Sequence, residues 1–281
     1  MPRVSTRITV LVENTAGQRD LIGEHGLAVW VERNGRRILF DTGQGPALVH
    51  NAAALNVDLS AAEIVALSHG HYDHTGGLAH ALPQFARATV YAHAGVFRDR
   101  FIQRPNGRIQ TVRSPIESAE WLRPQVGELV LTNRGPVDLG GGVWLSGDVP
   151  RRNDFEDVGG AFYLDRDCTE ADTLPDDQAM FIETDQGLVV LAGCAHSGIV
   201  NTLEHIQALT GGAHIHAVLG GMHLMSATDR RLDETIRTLT DANVEKIGLA
   251  HCTGLRAMAA IYHALPDRCF HCTAGTRLDV P

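Results

Sequence analysis

The feature that most constrains this chain is Ser68-His-Gly-His-Tyr-Asp-His-Thr-Gly-Gly77, which follows directly on the apolar run Glu63-Ile-Val-Ala-Leu67. A short apolar run of this kind reads as a buried strand. Three imidazoles and a carboxylate packed at its end are hard to place except around metal ions. An extended backbone sets residues i and i+2 on one side, so His69 and His71 can address one ion. Asp73 and His74 follow after a turn and can address a second. Imidazole with one carboxylate suits zinc, iron or manganese. Gly70, Gly76 and Gly77 let the backbone come close.

Composition supports a folded enzyme-sized chain rather than a nucleic-acid or membrane protein. The 281 residues carry 24 Lys and Arg against 33 Asp and Glu, a formal charge of −9. That balance disfavours a counterion-displacing grip on a nucleic acid. No run approaches the roughly 18 apolar residues of a membrane-spanning helix. The opening Met-Pro-Arg-Val-Ser-Thr-Arg lacks the apolar core of a secretory signal. Five cysteines, Cys168, Cys194, Cys252, Cys269 and Cys272, suggest a reducing, cytoplasmic setting rather than a disulfide framework.

The rest of the chain alternates strands and helices. Strands are expected at 7–12, 26–32 and 37–40, the last two joined by an Asn-Gly turn at 34–35. A helix over 46–55, the strand 63–67, a helix over 78–85 and a strand at 88–92 follow. The Arg-rich stretch 98–121, extended to about 125, reads as a cover or insertion. Two strands are expected in 129–145 and a long functional loop over 151–178. The second half repeats the rhythm: a hairpin at 179–183 and 187–192, a helix at 201–209, a strand at 214–219, a helix at 228–242, a strand at 246–250, a helix at 255–264 and a closing strand near 268–270. This predicts one α/β domain of two similar halves.

Three further histidines sit where the first cluster does. His196 in Gly193-Cys-Ala-His-Ser-Gly198, His223 in Gly220-Gly-Met-His-Leu224 and His251 in His251-Cys-Thr-Gly254 each lie just past a predicted strand. Open α/β sheets place their ligands at such ends. One such His would be a structural residue more often than a ligand; three, with the first run, imply a shared site. By contrast, Cys269-Phe-His-Cys272 has no second Cys pair, and reads as a strand rather than half a zinc knuckle.

His-x-His-x-Asp-His after a buried strand, preceded by Phe40-Asp-Thr-Gly43, resembles the metallo-β-lactamase superfamily. Within it, the motifs around His69, His196, His223 and His251 resemble a branch labelled metal-dependent hydrolase or dihydropterin-ribofuranosyl-aminobenzene phosphate synthase. The resemblance implies a four-layer αββα sandwich of the metallo-β-lactamase type holding two divalent ions, zinc first, with iron or manganese as alternatives. It gives His69 and His71 to the first metal, and Asp73, His74 and His251 to the second. The superfamily's bridging Asp, in a Gly-Asp pair, is replaced here by Gly193-Cys194. His196 is then the choice for the third ligand of the first metal. Cys194 stands either as a bridging thiolate or as a small buried residue. Asp177, near the position of the family's usual third His, is a ligand or a group that orients one. His223 contacts substrate, binds metal or orients a ligand, with substrate contact or ligand orientation preferred.

The implied activity is hydrolysis of an ester-type bond (phosphoester, lactone or thioester) in a small metabolite by a metal-activated hydroxide, with Asp73 as the proton acceptor. Arg98, Arg100 and Arg104 raise an anionic substrate; Arg98 and Arg104 are the candidate contacts. The alternative is a mononuclear iron oxygenase or oxidoreductase on the same fold. A small-molecule substrate, with neither nucleic acid nor membrane, is the expected partner. A homodimer is common for such folds.

Overall fold

The computed structural model describes residues 5–281; the reading of the first four residues lies outside them. The chain forms two compact units. The first runs to Asn133 and takes in Ala161–Asp176 and Thr273–Val280. The second comprises Arg134–Gly160, Asp177–Cys272 and Pro281.

The first unit is built on a seven-stranded sheet, in the order Arg277–Val280, Thr6–Val12, Ala28–Arg33, Arg36–Phe40, Ile64–Ala66, Thr89–His93 and Glu128–Thr132. The first four strands pair antiparallel and the rest parallel. The hairpin turn is Asn34-Gly35, both with positive φ (52° and 81°), as a two-residue turn between right-twisted strands requires. Leu11, Trp30, Leu39, Val65, Leu67, Phe85 and Val90 are among the buried side chains of its core, against the helix Ala47–Ala54.

The second unit repeats the plan. Its seven strands run Cys269–His271, Lys246–Leu249, Ile215–Gly220, Gly187–Ala192, Ala179–Thr184, Val143–Leu145 and Val137–Gly140. The first four of these pair parallel and the last three pairings are antiparallel. The helices Ile199–Leu209, Asp229–Asp241 and Leu255–Ala264 share a core with it through Leu203, Ile206, Leu232, Leu239 and Ile261. Thr228 caps the middle helix, its hydroxyl accepting the Arg231 amide at 3.2 Å. Among the described residues no helix is long and apolar enough to cross a membrane.

Several elements differ from the sequence expectation. The helix expected over 78–85 begins at Tyr72, inside the histidine run, and ends at Ala81. Gly76 and Gly77 are weak helix formers. They are there for close packing: a Cβ on Gly76 would lie 2.1 Å from the Gln44 carbonyl oxygen, and one on Gly77 1.8 Å from that of Thr42. Asp73 and His74 therefore sit on the helix's first turn. Within the stretch 98–121, Phe101–Gln103 and Ile109–Thr111 form a small sheet with Phe162–Tyr163 from the long loop. The region 129–145 holds three strands, one in the first unit and two in the second. The chain's last strand, Arg277–Val280, was not legible, because its pairing with Thr6–Val12 is a contact across nearly the whole sequence.

Candidate metal-binding site

Each unit gathers its candidate ligands at the C-terminal ends of its parallel strands. In the first unit, Ser68 to His74 follow Ile64–Ala66 and Asp41 follows Arg36–Phe40. In the second, Cys194 and His196 follow Gly187–Ala192, His223 follows Ile215–Gly220, and His251 with Cys252 follow Lys246–Leu249. Asp41, Ala195, His223 and His251 all hold positive φ (59°, 54°, 46° and 49°). Left-handed backbone at four non-glycine residues costs energy that the surrounding structure must offset, and such strain gathers at functional sites.

In the first unit His69 Nε2 and His71 Nδ1 face each other at 3.1 Å, both rings wholly or nearly buried. His69 Nδ1 lies 2.9 Å from Ser68 Oγ, which itself donates to Asp41 Oδ2 at 2.7 Å. The Ser68 hydroxyl therefore accepts from His69 Nδ1–H, leaving ligation to Nε2. Asp41 also accepts the Ser68 amide at 2.7 Å and holds His74 Nδ1 at 2.7 Å. A carboxylate on Nδ1 fixes the ring's tautomer and assigns ligation to Nε2. His74 Nε2 lies 4.0 Å from Asp73 Oδ2, which is 3.1 Å from His25 Nε2. Burial pushes the His71 pKa down to about 3, against the opposing pull of Asp73. A neutral, buried imidazole pair with carboxylates at hand is a donor set that fits a divalent ion.

Arg100 is not a surface anion contact. It is wholly buried, with Nε donating to Asp172 Oδ2 at 2.7 Å and Nη1 to Asp176 Oδ2 at 2.8 Å. Asp176 Oδ2 also accepts the Gly70 amide at 2.8 Å, so this clamp holds the peptide between His69 and His71. Arg98 and Arg104 are exposed, and Arg104 Nε donates to Gln110 Oε1 at 2.8 Å.

In the second unit His196 is wholly buried, its Nδ1 2.8 Å from the Val158 carbonyl and its ring centroid 4.3 Å from that of His223. Asp177 Oδ2 accepts the Ser197 amide at 2.7 Å, which places this carboxylate as a support of the Cys194–Ser197 loop. Burial pushes its carboxyl above the usual range, opposed by hydrogen bonds from the Ser197 and His196 amides. Arg151 Nη1 donates to the His196 carbonyl at 2.8 Å. Glu156 caps the helix that follows, its carboxylate accepting the Val200 and Asn201 amides at 3.0 and 2.9 Å. Cys194, His223 and Cys252 bring their donor atoms within 4.8 Å of one another. Cys269 opens the strand Cys269–His271 and Cys272 follows it, and neither belongs to such a group among the described residues.

Asp41, His25, Asp172, Asp176, Glu156 and Cys252 were missed as site-building residues from sequence. For Asp41 the signal was present in Phe40-Asp-Thr-Gly43; the others act through contacts between distant segments.

Residues 21–167 match the family model of the metallo-β-lactamase superfamily, and the chain belongs to that superfamily. Its α/β architecture is the metallo-β-lactamase fold. The chain is 30% identical over 267 residues to a protein of Methanocaldococcus jannaschii named 7,8-dihydropterin-6-methyl-4-(beta-D-ribofuranosyl)-aminobenzene-5'-phosphate synthase, covering 89% of this chain and 88% of the relative. A solved structure, Tm1679, described as a metal-dependent hydrolase of the beta-lactamase superfamily, matches with a TM-score of 0.82 and 28% identity over 98% of this chain and 99% of that one. Zn(2+)-bound PqqB from Methylobacterium extorquens shares the fold at a TM-score of 0.60 and 15% identity, over 98% of this chain and 100% of that one.

Proposed function

We propose that the chain is a metal-dependent hydrolase of an ester-type bond in a small anionic metabolite. The observation that carries the reading is the convergence of His69 Nε2 and His71 Nδ1 at 3.1 Å, on a loop held from behind by Asp41 and Asp176. Likeness to the Tm1679 hydrolase supports the reaction type. The name of the M. jannaschii relative, which includes a phosphate, supports a phosphate-bearing ligand.

In this reading His69, His71, Asp73 and His74 are metal ligands of the first unit, and His196 and His251 are assigned as ligands by their likeness to the family's motifs. Zinc is the proposed metal. A bound divalent ion would polarise a substrate oxygen and lower the pKa of water toward about 7. Asp73, whose Oδ2 lies 3.1 Å from His25 Nε2, is proposed to take up a proton and pass it to that exposed imidazole. Ser68 and Asp41 hold His69 and His74 in the tautomers that ligate through Nε2. Arg98 and Arg104, both exposed, are proposed to receive the substrate's anionic group.

The relative's name also favours a second reading, a synthase that forms a phosphate-bearing aminobenzene compound. One experiment separates them. Chain purified without added metal or chelator is analysed for metal, then assayed on phosphoesters, lactones and thioesters. At least two zinc equivalents with turnover that His71→Ala and Asp73→Ala abolish would support the hydrolase. Failure of all three substrate classes with the metal in place would favour the synthase. One iron equivalent with oxygen uptake would overturn both in favour of an oxygenase.

A further inference from the structure

The second unit contains a group of soft donors that the reading above leaves unused. Cys194, His223 and Cys252 lie at the ends of three adjacent parallel strands, Gly187–Ala192, Ile215–Gly220 and Lys246–Leu249. Parallel neighbours in register carry their C-terminal loops to one place, which is why residues 58 positions apart meet. The Cys252 thiol lies 3.6 Å from the Cys194 carbonyl. The loops are tied at the backbone: Gly221 donates to the Gly193 carbonyl at 3.1 Å, Ala250 to that of Gly220 at 3.2 Å, and Leu224 to that of Cys252 at 3.2 Å. Gly221 must lack a side chain here, since a Cβ would stand 2.6 Å from Cys252 Sγ. Both cysteines are buried and His223 is half-buried.

We infer that Cys194, His223 and Cys252 form a zinc-type metal site made entirely by the second unit, with two thiolates and one imidazole. Their donor atoms all lie within 4.8 Å of one another. On a tetrahedral zinc, with about 2.3 Å to sulfur and about 2.0–2.1 Å to nitrogen, the donor atoms stand about 3.6–3.8 Å apart, so side-chain shifts of up to about 1 Å close the site. Two thiolates select zinc-like or softer ions over magnesium, calcium or manganese. Three protein ligands leave a coordination position for an external group, as in zinc sites that act on a substrate rather than merely hold a fold. His223 is then a ligand rather than the substrate contact or orienting group preferred from the sequence. The hydrolase reading gives Cys252 and His223 no metal, so the two stand or fall separately.

The test is cobalt titration of the full chain after removal of bound metal, under reducing, oxygen-free conditions, reading thiolate-to-cobalt charge-transfer absorption in the near ultraviolet. The expected result is a band that Cys252→Ser diminishes by at least half and that His71→Ala leaves intact. No charge-transfer band in the folded wild-type chain would overturn the inference. So would a band unchanged in Cys252→Ser, which would leave Cys194 as the sole thiolate and return it to the bridging role. Circular dichroism accompanies each variant. If Cys252→Ser fails to fold, His223→Gln is the second variant: weakened cobalt affinity with the thiolate band retained at saturation is expected, and unchanged affinity would overturn the site.

Discussion

Asp176 Oδ2 accepts the Gly70 amide hydrogen at 2.8 Å while the same oxygen receives Arg100 Nη1 at 2.8 Å. One buried carboxylate thus links a guanidinium to the peptide between two imidazoles. Burial pushes the Asp176 carboxyl up, and Arg100 more than offsets this, so the group sits below the usual carboxylate range. Asp176→Asn removes the negative charge from a wholly buried Arg100. The expected cost is about 3–5 kcal/mol, the scale of breaking a buried pair from one side. Urea unfolding of the two proteins measures it, and a loss below about 1 kcal/mol would show that Asp172 alone balances the guanidinium.

Asp41 is expected to govern metal affinity without itself binding metal. It accepts from the Ser68 amide and hydroxyl and holds His74 Nδ1 at 2.7 Å. Asp41→Asn keeps the shape and loses the charge that fixes the ring. Zinc affinity should fall by about 10–100-fold, the usual consequence of losing a group that orients a ligating His. Competition with a chromophoric chelator reads the constant directly.

The stability of the metal-stripped chain should fall in acid, beginning well above the carboxylate range. His71 titrates near 6.5 when unfolded and is pushed down to about 3 in the fold by burial. Between those values the unfolded chain holds a proton that the folded chain does not. Stability therefore drops as pH falls from about 6.5 toward about 3, and this contribution levels off below. The lowered Asp176 carboxyl adds a loss at still lower pH, as it becomes protonated. In a series of thermal melts, His71→Asn should flatten the part between pH 6.5 and 4 in particular. An identical slope in the variant would remove His71 from the account.

Glu156 should stabilise the helix Ile199–Leu209 from outside it. That helix begins after Gly198, with no side-chain cap of its own, and Glu156 receives its Val200 and Asn201 amides instead. Glu156→Ala exposes these donors and removes a negative charge from a helix N-terminus. A loss of about 0.5–2 kcal/mol is expected, as for other lost caps. Denaturant melts and faster hydrogen exchange at the Val200 and Asn201 amides would register it.

Much of the architecture was legible because it rests on local patterns. Apolar runs such as 187–192 and 246–249 became strands, and Asn34-Gly35 became the two-residue turn its chemistry demands. The helix at 229–241 followed from the spacing of Leu232, Ile236 and Leu239 after a Thr cap. Misreadings came where a distant contact overrides local preference. The helix over 72–81 tolerates Gly76 and Gly77 because the backbone of 42–45 lies against them. Arg100 looked like a solvent-facing cation, and is buried because Asp172 and Asp176 meet it from more than 70 positions away.

By itself the sequence singled out the residues proposed to carry the chemistry. His69, His71, Asp73, His74, His196 and His251 are chosen by type and by position after apolar strands, both one-dimensional properties. The tertiary structure decided what holds and tunes them. Asp41 on His74, Asp176 on Gly70, Asp177 on Ser197 and the meeting of Cys194 with Cys252 are pairings between separate segments. A strand's burial and a ligand's donor atom are written locally; an imidazole's tautomer, a carboxyl's charge and a cysteine's partner depend on what folding brings within about 3–4 Å, the range of hydrogen bonds and close ion pairs.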